Sequence, residues 1–175
     1  MEPVETEMSA KPAAFADKIS QNADLFKRLE SVYNSPDKKK LTAEQKRLTW
    51  VHYTNFVRAG AKLGPAQKSR LGAINQELAG LFTKFSQNLL GEEGQLFMPL
   101  ADKADLAGLT EDLVDSSATA AASKKLPNSW VIRNTRSSID PFLTYSNRRD
   151  LREKAWKIFV NRGDNGDARD NNGII

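Results

Sequence analysis

The feature that most constrains the fold is a series of apolar residues, spaced mostly three or four positions apart, in the middle of the chain. Its positions are Leu71, Ile74, Leu78, Leu81, Phe82, Phe85 and Leu89. This spacing places the apolar residues on one face of an α-helix and the polar residues on the other. The stretch follows Pro65 and reaches Gly91, which predicts a long amphipathic helix that ends near that glycine.

Two further helices are predicted before this one, after an irregular, flexible tail over residues 1–10. The first begins at about Pro12 and ends where "NSPDKKK" supplies turn residues and Pro36. The second begins at Thr42, which forms the sequence pattern of a capping box with Gln45, and is predicted to end at Gly64. Its short connection to the long helix predicts an antiparallel hairpin of the two. Its apolar residues lie on two faces and predict a helix packed on both sides: Leu48, Val51, Phe56 and Ala59, and Trp50, Tyr53 and Val57.

The pattern changes after the long helix. The segments "QLFMPL" (95–100) and "WVIRNT" (130–135) are short, carry aromatic or branched residues, and are bounded by turn residues. They predict two weak strands that pair with each other. Between them, Thr110 can cap a short helix that ends near Lys124 and Lys125.

The C-terminal part of the sequence predicts two more helical segments. Asp140-Pro141 can start a turn of helix, and the next helix carries Leu151, Ala155 and Ile158 on one stripe. Gly163 is predicted to end that helix, and Asp167 to cap the beginning of another. Favourable ion pairs four residues apart are predicted for Asp150 with Lys154 and for Glu153 with Lys157.

These segments predict a mainly α fold, an antiparallel helical bundle or set of hairpins with at most a minor two-stranded β element. Residues 11–175 are expected to form one helical segment. The composition, with 39% hydrophobic and 27% charged residues, is typical of a globular chain. The chain has no cysteine and shows neither a secretory signal nor an apolar run long enough for a membrane span, which predicts a cytoplasmic location and no membrane partner.

No set of catalytic residues is complete in the sequence. His52 is the only histidine, so a His-Glu-x-x-His zinc helix cannot be formed, and we expect His52 to be structural. Ser137, Ser138 and Ser146 have no adjacent base and are predicted to be cap or turn residues. The sequence also lacks a phosphate-binding Gly-rich loop, and the acidic "DNGDARDNNG" lacks the ligand spacing of a calcium loop. We therefore predict no catalytic and no metal-binding residue in this chain.

A basic stretch remains as a candidate binding surface. Ten Lys/Arg and three Asp/Glu lie between Lys124 and Arg162. Arg148, Arg149 and Arg152 share a helix face that can bind carboxylates or phosphates, although a solvated face with internal ion pairs has the same pattern. Nucleic acid is not a predicted partner, because exposed aromatic residues or a DNA-reading module would be expected beside such charges.

Several blocks of the sequence resemble the thimet-oligopeptidase-type zinc metallopeptidases and occur in the same order as in that family. Their residues are most similar to those of the peptidyl-dipeptidase (dipeptidyl carboxypeptidase) branch. The resemblance covers residues 41–175. The blocks are "FVRAGA" (56–61), "INQELAGLFTKFSQNLL" (74–90), "LAGL" (106–109), "RSSIDPFLTYSNRRDLREKAWKIFVNRGD" (136–164) and "DNNGII" (170–175).

The resemblance implies an almost wholly helical parent enzyme, with a deep channel that admits short peptides. One zinc ion, held by two histidines and a downstream glutamate, would hydrolyse them, and the peptidyl-dipeptidase branch releases C-terminal dipeptides. The chain matches only an N-terminal-half segment before the zinc helix, which implies that residues 11–175 are part of a larger metallopeptidase, truncated at its C-terminal end. No zinc ligand is therefore carried over, and the chain alone is expected to be inactive and zinc-free. Arg148, Arg149 and Arg152 would lie in the channel wall near peptide carboxylates.

The resemblance implies two kinds of partner: the downstream catalytic segment of the parent and, through the parent, short peptides. Two alternatives remain open. The chain is a stand-alone helical module that self-associates through exposed apolar helix faces, or the basic 124–162 segment binds nucleic acid, which is the less favoured alternative.

Overall fold

The computed structural model describes residues 2–175 and is mainly α-helical with one two-stranded antiparallel sheet, as predicted. It divides into two compact units between Lys84 and Phe85, within α5. No helix of residues 2–175 combines the length and apolar character needed to cross a membrane. The helices are α1 Glu2–Met8, α2 Ala10–Ser20, α3 Ala23–Asn34, α4 Ala43–Arg58, α5 Pro65–Gln95, α6 Glu111–Ser123, α7 Arg136–Tyr145 and α8 Arg149–Val160; the strands are β1 Phe97–Leu100 and β2 Trp130–Arg133.

The N-terminal residues are helical where the sequence predicted an irregular tail. In the described part of residues 1–10, α1 is a helix over Glu2–Met8 and α2 begins at Ala10. Pro3 lies in the first turn of α1, where a missing backbone N–H costs nothing. The predicted first helix is also divided: α2 ends at Ser20, and Asn22 caps α3 by accepting a hydrogen bond from the Leu25 N–H at 2.9 Å.

Aromatic side chains join α3 to α4 in the first unit. The ring of the buried Phe26 lies 5.7 Å from that of Tyr53 and 6.4 Å from that of Phe56, measured between centroids. Tyr33 stacks on Tyr53 at 3.9 Å. Tyr53 and Phe56 are three residues apart and share one face of α4, so their assignment to two opposite faces was wrong. Leu48 is 57% exposed, so α4 is not packed on both sides.

The predicted hairpin of the second and long helices is also wrong, because α4 packs on α3 and the first part of α5 bonds to α2. The Asn75 amide donates to Asp17 at 2.7 Å, and Lys68 donates to the Gln21 carbonyl at 2.9 Å. The capping box of Thr42 and Gln45 is present as predicted. Other boundaries differ: α4 ends at Arg58 with Gly60, not Gly64, in the left-handed conformation, and α5 continues past Gly91 to Gln95.

The second unit is built around the sheet, whose strands pair in the predicted way. Met98 lies opposite Ile132, and Leu100 lies opposite Trp130. Alternate residues of β2 face different clusters: Ile132 joins the main core, whereas Val131 packs against α6. The main core consists of Met98, Leu100, Ile132, Ile139, Phe142 and Ala155. Thr110 caps α6 as predicted, with its hydroxyl accepting from the Leu113 N–H.

Three predictions for the C-terminal part differ from the structure. α7 begins at Arg136 rather than at Asp140-Pro141, because Arg136 pairs with Asp140 one turn later at 3.0 Å and Pro141 is tolerated inside the helix. No helix begins at Asp167 in the described residues; its carboxylate instead accepts from the Arg169 N–H in a turn. α8 ends at Val160, three residues before the predicted Gly163.

Candidate functional site

The three arginines of the basic stretch are used differently. Arg148 directly precedes α8 and is tied internally, with one guanidinium nitrogen 2.6 Å from Asp105 and another 2.8 Å from Asp150. Its hydrogen bond to Asp150 lowers the pKa of that carboxyl and raises the pKa of Arg148. Arg148 is therefore a structural residue that joins the start of α8 to the segment after β1. Asp150 pairs with Arg148 instead of with Lys154, which was its predicted partner.

Arg149 and Arg152 line one cleft on the surface of the second unit. This arginine cleft has a volume of about 360 Å³ and is completed by Leu143, Glu153 and Trp156. Trp156 is half exposed, so its indole is available to an apolar ligand group. Arg152 donates one hydrogen bond to the Ser146 carbonyl, which fixes the guanidinium in place. The cleft thus offers two cations, one carboxylate and one aromatic ring.

Glu153 moderates the positive charge of the arginine cleft. It pairs with Lys157 at 2.7 Å as predicted, and this hydrogen bond, helped by the charge of Arg149, lowers the pKa of Glu153. A lowered pKa keeps Glu153 ionised and partly neutralises the cleft. The cleft can bind a ligand that carries a carboxylate and an apolar side chain, such as a peptide end.

A second polar assembly, the polar latch, joins the end of α5 to residues 161–171 and was missed in the sequence. Glu92 is 1% exposed and accepts a hydrogen bond from the Gly163 N–H at 2.6 Å and another from the Asn165 amide. Asn171 is also buried; it accepts from Asn88 at 2.8 Å, and its backbone N–H donates to the Gly163 carbonyl at 2.7 Å. The buried polar groups of the latch are hydrogen-bonded to one another, so the latch stabilises the fold and is not a reactive site.

The glycine of the latch is required by its geometry. Gly163 has a φ of +74°, and a Cβ there would lie 2.8 Å from the Asn171 amide nitrogen and 3.0 Å from a Leu89 methyl. The one sequence signal for the latch was the density of Asp, Asn and Gly after α8. Its partner, Glu92, lies about seventy residues earlier and carries no local signal.

The remaining candidates take up structural positions. His52 is exposed on α4, and the described residues contain no group of His, Asp and Glu that could hold a metal ion. Ser146 caps the end of α7 and accepts from the Arg148 N–H at 3.2 Å. Ser137 and Ser138 lie in the first turn of α7, and Ser138 accepts from the Arg133 N–H at 3.0 Å.

Comparison with known proteins shows relatives over almost the whole chain. It is 34% identical to the dipeptidyl carboxypeptidase of Escherichia coli over 98% of its length, and 28% identical to the organellar oligopeptidase A of Arabidopsis thaliana over 92%. It is 26% identical to the oligopeptidase A of Haemophilus influenzae over 90%. The matches cover 25%, 21% and 24% of these relatives, so the chain spans about a quarter of their length. No family model matches the chain.

Proposed function

The chain belongs to the thimet-oligopeptidase-type family of dipeptidyl carboxypeptidases and oligopeptidases A, and on this basis we propose that it is one segment of a cytoplasmic zinc metallopeptidase that hydrolyses short oligopeptides. The parent enzyme would release C-terminal dipeptides. The observation that carries the proposal is the identity of 34% with a dipeptidyl carboxypeptidase over 98% of this chain. Because that match covers a quarter of the relative, the segment supplies only part of the enzyme.

The residues of this segment do not fit a hydrolytic zinc site. Such a site needs three protein ligands and one open position for water. The chain has one histidine, exposed on α4, and no cysteine. The zinc ligands therefore belong to the other three quarters of the parent, and the segment alone is proposed to be inactive. Its contribution is to the wall of the peptide channel, and no step of the hydrolysis is assigned to its residues.

The arginine cleft is the part of this wall that we propose contacts the substrate. Arg149 and Arg152 would pair with a peptide carboxylate, and the half-exposed Trp156 would contact a side chain. We no longer include Arg148 among the substrate-binding residues, because its guanidinium already pairs with Asp105 and Asp150.

A first experiment tests the family function and the inactivity together. The 175-residue chain and the product of the complete gene are assayed with a short internally quenched peptide, with and without a chelator. We expect cleavage only by the complete product, with loss on chelation and an in-frame His-Glu-x-x-His codon run beyond residue 175. Chelator-sensitive cleavage by the 175-residue chain itself would overturn the inactivity, and a complete product without that motif would overturn the metallopeptidase proposal.

A second experiment tests the role of the arginine cleft in the complete enzyme. Arg149→Gln is expected to raise KM about tenfold for a peptide with a free C-terminus, because a hydrogen bond to a charged group is worth about 1.5–3 kcal/mol. The C-terminal amide of the same peptide should show little change. Lys154→Gln removes the same charge from α8 outside the cleft and is the matched control. If the two variants changed KM equally, or if Arg149→Gln changed KM equally for the acid and the amide, the proposal that the arginine cleft binds the peptide carboxylate would be wrong.

Self-association of the isolated chain is a second candidate function, favoured by apolar side chains exposed in the first unit. Phe15 is 65% exposed and Phe82 is 66% exposed, on helices that present further apolar residues. Sedimentation of the 175-residue chain is expected to show a dimer or higher oligomer that Phe82→Lys dissociates. Gln76→Lys, which adds the same charge elsewhere on α5, should leave the oligomer intact. A monomer at high concentration would contradict this proposal.

A further inference from the structure

A second cleft in the second unit has a different chemistry from the arginine cleft. It lies between α6, β2 and the beginning of α7 and has a volume of about 530 Å³. Its polar lining consists of five hydroxyl residues and one arginine, without a carboxylate. We call this cavity the hydroxyl cleft. Its polar lining residues are Ser116, Ser117, Thr119, Ser137, Ser138 and Arg133. A lining that can donate hydrogen bonds and carries one positive charge is complementary to an anion.

Ser117 provides an observation that points to a ligand. The residue is 2% exposed and lines the hydroxyl cleft, yet its hydroxyl has no hydrogen-bond partner among the described residues. Burying a hydroxyl without a hydrogen-bond partner is destabilising. By contrast, the neighbouring Ser116 hydroxyl donates to the Leu113 carbonyl at 3.0 Å, as is usual in a helix. Ser117 therefore lines the cleft and carries a buried hydroxyl without a hydrogen-bond partner in the described part of the chain.

The beginning of α7 adds donors to the same cleft. α7 is ten residues long, and its N-cap residue Thr135 makes no side-chain capping bond. The first turn of a helix presents unsatisfied N–H groups and the positive end of the helix dipole, and both favour an anion. Ser137 and Ser138 of this turn line the cleft. The Ser138 oxygen already accepts from the Arg133 N–H, which leaves its own proton free to donate.

Arg133 supplies the charge. It ends β2, its side chain is exposed, and its guanidinium has no hydrogen-bonded acceptor within the described part of the chain. Arg136, the next arginine, is different: it lies at the start of α7, pairs with Asp140 at 3.0 Å, and does not line the cleft. Of the two arginines beside the α7 N-terminus, Arg133 is thus the one available to a ligand.

We propose that the hydroxyl cleft is a binding site for an oxyanion, a phosphate or carboxylate group of a small molecule, held by Arg133, Ser117, Ser138 and the first turn of α7. The volume exceeds that of one inorganic anion, so the group would be part of a larger organic molecule. The site is separate from the arginine cleft and does not depend on the peptidase function, since no residue lines both.

The test is an amide NMR titration of the 175-residue chain with inorganic phosphate and, separately, with acetate. We expect saturable shifts at Ser117, Ser137 and Ser138, and the anion that binds more tightly identifies the chemical class. Arg133→Gln should weaken that binding at least about tenfold, because a charged hydrogen bond is lost. The matched control Arg136→Gln should change it by less than about twofold, since rim charges away from the ligand contribute little.

Ser117→Ala separates a ligand role from a packing role. Without added anion the variant should melt at the same temperature as the unmodified chain or higher, because it removes a buried donor without a partner. With saturating anion it should gain less stabilisation than the unmodified chain. Shifts that do not saturate with either anion, equal effects of Arg133→Gln and Arg136→Gln, or a Ser117→Ala variant that is destabilised without anion but keeps full affinity would each overturn the proposal.

Discussion

The polar latch yields the sharpest prediction, which concerns the stability of the second unit. We expect Glu92→Ala to reduce its free energy of unfolding by roughly 3–5 kcal/mol, because the change removes the acceptor of one buried and one partly buried hydrogen bond. The donors are the Gly163 N–H at 2.6 Å and the Asn165 amide. Gly163 is buried, so its N–H would be left without the acceptor that Glu92 provides.

The magnitude follows from the number and type of these bonds. A hydrogen bond to a charged group contributes about 1.5–3 kcal/mol, so two contribute about 3–6 kcal/mol before the variant relaxes. Partial relaxation around the truncated side chain places the expected loss at the lower part of this range. Small domains are stable by about 5–15 kcal/mol, so the variant should remain folded at low temperature but with much of its margin lost.

The assay is urea denaturation followed by tryptophan fluorescence. Trp130 and Trp156 lie in the second unit, and Trp50 lies in the first, so a Trp50→Phe background reports on the second unit alone. Glu92→Gln keeps one oxygen acceptor and should lose about half as much stability as Glu92→Ala.

The matched control is Glu153→Ala on α8. Its side chain is 63% exposed and its ion pair with Lys157 lies in solvent, so its removal should leave the urea midpoint almost unchanged. The reasoning would be refuted if Glu92→Ala and Glu153→Ala lowered the urea midpoint by the same amount with unchanged slopes.

Three further changes test other parts of the fold. Gly163→Ala should destabilise the second unit by about 2 kcal/mol or more, whereas Gly166→Ala, also left-handed but with no atom near its Cβ, should cost about 1 kcal/mol; denaturation of the pair checks this. Thr42→Ala should cost about 1 kcal/mol in the first unit, measured by Trp50 fluorescence, through loss of the capping box. N–H groups of Asn172 and Gly166 lower the pKa of Asp170, so its stabilising contribution should be fully present above the unfolded pKa and be lost as pH falls through the lower, folded pKa; an NMR pH titration that gave an ordinary aspartate pKa would contradict this.

Features governed by neighbours in the sequence were predictable. Thr42 caps α4 with Gln45, and Thr110 caps α6, because a capping bond involves residues three apart. The strands around Met98 and Ile132 were predicted from short apolar runs between turn residues, and they pair as expected. The Glu153–Lys157 pair was predicted from its spacing on one helix face.

Features governed by distant residues were not. The alternation of apolar residues on α4 does not tell which helix covers it, and the ring of Phe26 on α3 decides that Tyr53 and Phe56 form one face. Similarly, a cluster of arginines looks the same whether its charges are free or paired. Arg148 is neutralised by Asp105, which lies 43 residues earlier, and only the folded chain brings the two together.

The polar groups of the latch and those of the two clefts differ in a way that bears on function. Those of the latch, Glu92 and Asn171 above all, have their hydrogen bonds completed within the chain, so they stabilise the fold and have no capacity left for a ligand. Arg149 in the arginine cleft and Ser117 in the hydroxyl cleft have no such hydrogen-bond partner in the described residues. The buried, unpartnered hydroxyl of Ser117 and the exposed, unpaired charge of Arg149 are therefore the reasons why we propose these two clefts, and not the latch, as ligand sites.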